Sequence, residues 1–181
     1  MPEIPVAWKQ RAAHLVQIPL VHRLMLWGIY LTVPRQRIGV AIVAIDDKER
    51  VLMLRHVFHS YAPWGLPGGW LNRNEAPAEA VLRELKEETG LTAVLGPIVQ
   101  VLREPRPGHI GIAYLAHILP GPVTLSPEIM EARWFAADEL PAPLLPFIRG
   151  AINSGLTIHR ALRAATGDEA GMDRVVLLEE E

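Results

Sequence analysis

Three carboxylates on one turn of helix place the tightest condition on this chain. Residues Ala76 to Thr89 form its clearest helical segment, and Glu84, Glu87 and Glu88 lie in it at i, i+3 and i+4, sharing one face. Both ends of the segment are marked. Pro77 falls in the first turn, where its missing N–H does no harm, and Gly90 follows the last turn, where a left-handed cap is expected. Val81, Leu82 and Leu85 occupy the other side. The fold must therefore bury one side of the helix and give the other a positive partner, because three neighbouring carboxylates repel one another. Arg83 and Lys86 are the cations nearby, and arginine alone is a poor match for three acids. A hard divalent cation, Mg2+ or Mn2+, fits better, with water and phosphate completing its oxygen shell. The simpler alternative is a solvated acidic face. Gly68-Gly69 lies just upstream, where the chain turns toward the helix, and a bare glycine carbonyl there would extend the oxygen set.

Around this helix, apolar segments alternate with proline- and glycine-rich connections, and no internal repeat is visible. Residues 6–31 read as one or two helices broken near Pro19. Arg37 to Ile45 reads as a buried strand, Asp46-Asp47-Lys48 as a turn and Val51 to His56 as the returning strand, so the pair is expected to form a hairpin. Pro63 to Trp70 is a Pro/Gly connection. Strands are expected at Val99 to Arg103, His109 to Leu119 and Ile129 to Phe135. A helical turn is expected at Ala137 to Leu140 and a helix at Leu144 to Asn153, with less pattern from Gly155 onward. A length of 181 residues suits one domain with a small helical extension.

Gly69, Glu75, Arg83, Glu84, Leu85, Glu87, Glu88, Gly90 and Leu91 together resemble the Nudix box at every constrained position. That pattern is Gly, five residues, Glu, seven residues, then Arg-Glu-hydrophobic-any-Glu-Glu-any-Gly-hydrophobic. A looser likeness to the Nudix hydrolase family runs from about Arg37 to Leu140, through the Trp-Gly-Leu-Pro-Gly-Gly approach and the Glu-Ala-Arg-Trp-Phe strand. Asn74 stands where many members carry glycine, and asparagine also tolerates turn conformations.

The resemblance implies an α/β fold, an α/β/α sandwich with a mixed β-sheet, over residues 35–155. An N-terminal apolar helical extension would occupy 1–34 and a C-terminal helix or tail 156–181. It implies Glu84, Glu87 and Glu88 as metal ligands, joined by the Gly69 carbonyl, and an architectural Arg83–Glu75 pair. Glu84, Glu88 and Glu128 would be the catalytic carboxylates. Members often take a general base from the loop before the Trp-containing strand; Glu128, six residues before Trp134, is the first candidate and Glu131 the second. The implied reaction is hydrolysis of the pyrophosphate bond in a nucleoside diphosphate linked to another group, with Mg2+ as cofactor and Mn2+ as a substitute. Elementary chemistry agrees. An acidic site binds an anionic pyrophosphate only through cations, and a carboxylate must take the proton of the attacking water.

The group beyond the diphosphate is less defined. Arg55, Trp64, Arg103 and Arg106 are the candidate substrate contacts, Trp64 to stack on a base and the arginines to meet phosphate or ribose. His56, His59 and Tyr114 also fall in segments that would line a cleft. Pro105 and Pro107 lie 14 and 16 residues after Leu91, near the proline that the ADP-ribose group of the family carries. ADP-ribose or a nucleotide sugar is thus favoured, with canonical or oxidised nucleoside triphosphates as the alternative. A non-catalytic ligand sensor of the same fold is the alternative of another class; such domains usually lose box carboxylates, and all are present here.

A formal net charge of −2 argues against coating nucleic acid, so the expected partner is a small-molecule nucleotide. The absence of cysteine removes disulfides, thiolate zinc sites and cysteine nucleophiles, and fits a reducing, cytoplasmic location. The most apolar stretch, Leu15 to Val33, contains Pro19, His22 and Arg23, and its clean run from Leu24 is only ten residues. Spanning a bilayer takes about 20, so stable membrane insertion is not expected. This helix is expected to pack on its own domain or on a second copy in a homodimer. A peripheral membrane contact through Trp27, Tyr30 and Arg23 is the other reading.

Overall fold

The computed structural model describes residues 5–105 and 107–166. They divide into two units after Gln36. The first unit holds two helices, α1 (Val6–Val16) and α2 (Pro19–Thr32), broken where Pro19 takes the first helical position of α2. No residue of α2 is buried.

The second unit contains β1 (Arg37–Ala44), β2 (Arg50–His56), β3 (Trp64–Gly65), β4 (Gly68–Trp70), α3 (Pro77–Thr89), β5 (Ala93–Glu104), β6 (His109–Ile118), β7 (Ile129–Ala136) and α4 (Pro146–Thr166). One sheet has the order β4-β1-β6-β5 and the other β3-β2-β7. The β1–β6 pair is parallel and the remaining pairs are antiparallel, so the architecture is mixed. The composition of β1 explains its central place. Ala41 and Val43 pack with Phe147, Ile152 and Leu156 of α4, while Val40, Ile42 and Ala44 pack with Ala80, Val81 and Leu85 of α3. A strand covered on both faces needs a continuous apolar run rather than an alternating one. The result is a sandwich with α3 on one side of the strands and α4 on the other.

The expected hairpin does not form. Strands β1 and β2 belong to different sheets, and in place of a ladder a single Ile45–Val51 bridge lies just beyond β1. Asp46 closes the reversal, accepting the Lys48 and Arg50 N–H groups at 3.0 and 2.8 Å. Beyond it the chain enters the second sheet, because each strand is apolar on both faces and takes its neighbours from elsewhere.

The helix expected at Leu144 to Asn153 starts at Pro146 and continues to Thr166. Gly155 is not a helix end; it is where α4 lies against β1, and a Cβ there would meet Val43 Cγ1 at 2.7 Å. The Pro/Gly connection contributes two short strands, and β4 pairs with β1 so that Gly69 faces Val40. Strand β5 begins six residues earlier than expected, at Ala93, with one register shift across Gly96-Pro97 and a second between Ile98 and Gln100. The expected turn after β7 is closed by Glu139 N–H donating to Ala136. Residues 167–181 of the expected tail lie outside the described residues.

Candidate active site

Helix α3 is held at both ends. Its N-cap is Ala76, whose N–H donates to the Glu79 carboxylate at 3.1 Å, and Pro77 follows at the first helical position. Gly90 caps the other end at φ 72°, its N–H bonded to Lys86. Val81 and Leu85 are fully buried and Leu82 is half-buried. The entry loop is tied by Asn72 N–H donating to Glu75 at 2.9 Å, and Asn74 takes a positive φ of 63°.

On the exposed side one guanidinium serves three acids. Arg83 donates to both oxygens of Glu75, through Nε at 2.7 Å and Nη2 at 3.1 Å. Its Nη1 reaches Glu84 and Glu87, each at 3.0 Å, and its Nη2 reaches the Trp70 carbonyl at 3.2 Å. The bidentate pairing holds the Glu75 carboxyl below the usual range and raises Arg83. Arginine thus offsets more of the acidic face than sequence distance alone indicates.

Glu88 has no such partner. It is mostly buried, and its Oε2 accepts the Gly68 N–H at 2.9 Å. Burial, and then the charges of Glu84, Glu128 and Glu87, push its carboxyl up to about 8 against the one hydrogen bond that favours ionisation. Gly69 lies against Glu84 so closely that any Cβ would collide with the Glu84 carboxylate. The chemistry of this donor set fits a hard divalent cation: carboxylate oxygens crowded with their charge unmet at Glu88, and a backbone without a side chain beside them. Among the described residues no three acidic or histidine side chains are gathered closely enough to hold a metal by themselves. A cation here would take one or two carboxylates and fill the rest of its shell with water and phosphate, as Mg2+ does.

The loop before β7 is strung along the C-terminal end of α3. Thr124 N–H donates to Thr89 at 2.8 Å, Ser126 N–H to Glu88 at 3.0 Å, and Val57 N–H to the Glu128 carbonyl at 2.9 Å. These bonds bring Glu128 to the Glu88 carboxylate, where it lines the same cleft. Glu131 lies within β7, paired with Arg55 of β2, and does not line the cleft.

That cleft holds about 840 Å³. Its lining includes the acids Glu84, Glu87, Glu88, Glu104 and Glu128 and the rings of Trp64, Trp70, His56, His59, His109 and Phe147. Of the expected substrate contacts, Trp64 lines the cleft, but its ring also packs edge-on against Phe135 of the core at 4.9 Å. Arg55 and Arg103 are exposed on β2 and β5 and are not among the lining residues. Arg106 lies outside the described residues. Tyr114 packs with the α3-side core. His56 and His59 lie 4.6 Å apart, and burial, followed by the His59 charge, lowers His56 to about 4.

Trp70, His109 and Glu104 escaped the sequence reading. His109 is buried, pairs through Nε2 with Glu104 at 3.2 Å, and meets the half-exposed Trp70 ring edge-on at 4.9 Å. The one available signal is that Trp70 directly follows Gly69 in a strand, so the two point to opposite faces. Nothing local marks His109, because a lone histidine at a strand start reads as packing.

A family model described as NUDIX domain matches residues 35–154. The chain is 33% identical over 106 residues to "NAD-capped RNA hydrolase NudC" of Salmonella heidelberg, covering 58% of this chain and 40% of that protein. It is 32% identical over 109 residues to an ADP-ribose pyrophosphatase of Methanocaldococcus jannaschii, covering 57% and 64%. The MutT NUDIX hydrolase structure from Burkholderia pseudomallei superimposes with a TM-score of 0.61 at 29% identity, over 67% of this chain and 98% of that one. The match thus spans 40% to 64% of the lengths of these curated relatives.

Proposed function

Because the chain belongs to the NUDIX domain family, we propose that it hydrolyses the pyrophosphate bond of a nucleoside diphosphate linked to another group, with ADP-ribose or a nucleotide sugar favoured. One observation carries this reading. A single cleft of about 840 Å³ is lined both by the box carboxylates, with Glu88 lacking a cationic partner, and by the rings of Trp64 and Trp70. The two curated relatives support the substrate class, since the name of one contains ADP-ribose and that of the other NAD, both adenosine diphosphates joined to a second group.

Glu84, Glu87 and Glu88, with the Gly69 carbonyl, would hold a divalent cation, Mg2+ or Mn2+. That ion supplies charge neutralisation for the pyrophosphate and acidifies water. The protein's own groups do the rest. Arg83 and Glu75 fix the loop against the helix so that Gly69 stays beside Glu84. Glu128, held at the cleft by the Val57 hydrogen bond, takes the proton of the attacking water. Trp70 and Trp64 offer faces for the base, in place of a role for Arg55 and Arg103. A cytoplasmic location, where such nucleotides are abundant, completes the reading together with the absence of cysteine.

The test is hydrolysis in Mg2+ over a panel of ADP-ribose, nucleotide sugars, canonical and oxidised nucleoside triphosphates and dinucleoside polyphosphates, with Glu88→Gln as control. Turnover of a diphosphate-linked class, cut by about 100-fold or more in the variant, supports the reading. Turnover of triphosphates alone overturns the substrate assignment. Tight nucleotide binding without turnover overturns the enzymatic one.

A further inference from the structure

The N-terminal unit has a composition unlike the rest of the chain. Residues 1–36 contain Lys9, Arg11, Arg23 and Arg35 against the single acid Glu3, whereas residues 37–181 carry 14 Lys/Arg against 19 Asp/Glu. Helix α2 is also apolar all round. Leu24, Trp27 and Leu31 project from one side and Met25 and Ile29 from the opposite one, all exposed, Trp27 at 66% and Leu31 at 73%. In a water-soluble setting such a helix is a buried one, yet none of its residues is buried.

We propose that this unit binds the surface of an anionic lipid bilayer, with α2 lying in the interface. Three observations select that occupant. First, the apolar surface surrounds the helix, and a second copy docked on it would cover one side only, whereas the acyl–headgroup boundary wraps it. Second, the cations flank the apolar run, Arg23 before it and Arg35 after it, and residues 5–36 contain no acid to pair with them. Lipid phosphates meet both ends, and two copies of the unit would bring cation to cation. Third, the aromatic residues suit a boundary. Arg35 lies over the Tyr30 ring at 4.1 Å, a cation–aromatic pair of the kind that holds a headgroup-level position, and Trp27 is exposed nearby. The 14 residues of α2 reach about 21 Å, short of the roughly 30 Å hydrocarbon core, so the helix lies on the membrane and does not cross it. No helix among the described residues is long and apolar enough to cross. The inference is independent of the reaction proposed above.

The test is vesicle flotation of the full chain with phosphatidylcholine alone and with phosphatidylcholine containing phosphatidylglycerol. Expected is at least about tenfold stronger partitioning to the anionic vesicles, lost when salt shortens the range of charge interactions. The Arg23→Glu/Arg35→Glu variant should lose most of it, and Trp27→Ser should weaken binding to both compositions. Thermal melting of both variants reports that the fold is kept. Equal binding to the two compositions, no flotation of the wild type, or full binding by the charge-reversed variant would each overturn the proposal. So would a concentration-dependent dimer that Leu24→Glu disrupts in protein that does not float, since the occupant would then be a second copy.

Discussion

At Glu88, burial and three neighbouring carboxylates act in one direction and the Gly68 N–H acts in the other. The proton is therefore bound more tightly in the folded chain, at about 8, than at the ordinary value of 4.5. Stability from that proton is complete below about 4.5 and is lost as pH rises through about 8. Without divalent metal, urea unfolding should show stability falling between those limits, and Glu88→Gln should flatten the fall. At the alkaline end the variant should be the more stable by about 1–3 kcal/mol, while its hydrolytic activity is the lower. His56 carries the opposite sign. Burial and His59 lower it to about 4, so the unfolded chain binds the proton first and stability falls as pH drops from 6.5 toward 4. His56→Gln should remove about 1–2 kcal/mol of that acid sensitivity, a figure reduced for partial exposure, as read by unfolding at neutral pH and near pH 4.5.

Elements were legible where their ends carried chemistry. Helix α3 starts within a residue of its expected position because Pro77 and Gly90 mark it. The long apolar strands β6 and β7 were equally plain. The partners of β1 and β2 were not, because two double-faced apolar strands joined by a short turn look the same whether they pair with each other or divide between sheets. Helix α4 was read short because Gly155 looks like punctuation. It marks contact with Val43 instead, and that contact leads to a prediction. Alanine at an exposed helical glycine gains about 1 kcal/mol, but Gly155→Ala meets a β-branched side chain packed in the core at 2.7 Å. It should lower stability by about 1–3 kcal/mol, measured as a shift in the denaturation midpoint. In the candidate site the acidic face was legible, since its spacing lies within one helix. The Trp70–His109 pair was not, because the two residues stand 39 positions apart and meet through strands flanking β1.

On the scale of the whole molecule, charge is divided unevenly. An acidic remainder carries the cleft and a basic, apolar stretch precedes it. Removing divalent metal should therefore act on one region only. EDTA is expected to abolish turnover while moving the midpoint of thermal unfolding by no more than about 5 °C, since a ligand stabilises only by its occupancy over its dissociation constant; calorimetry with and without Mg2+ checks this. The reason lies in Arg83, which already spans Glu75, Glu84 and Glu87 before any ion arrives. The chain carries its own provisional counter-ion. If a divalent ion is the cofactor, apo-protein is expected to fold without it, so that expression in metal-depleted medium should yield folded protein that gains activity on adding Mg2+.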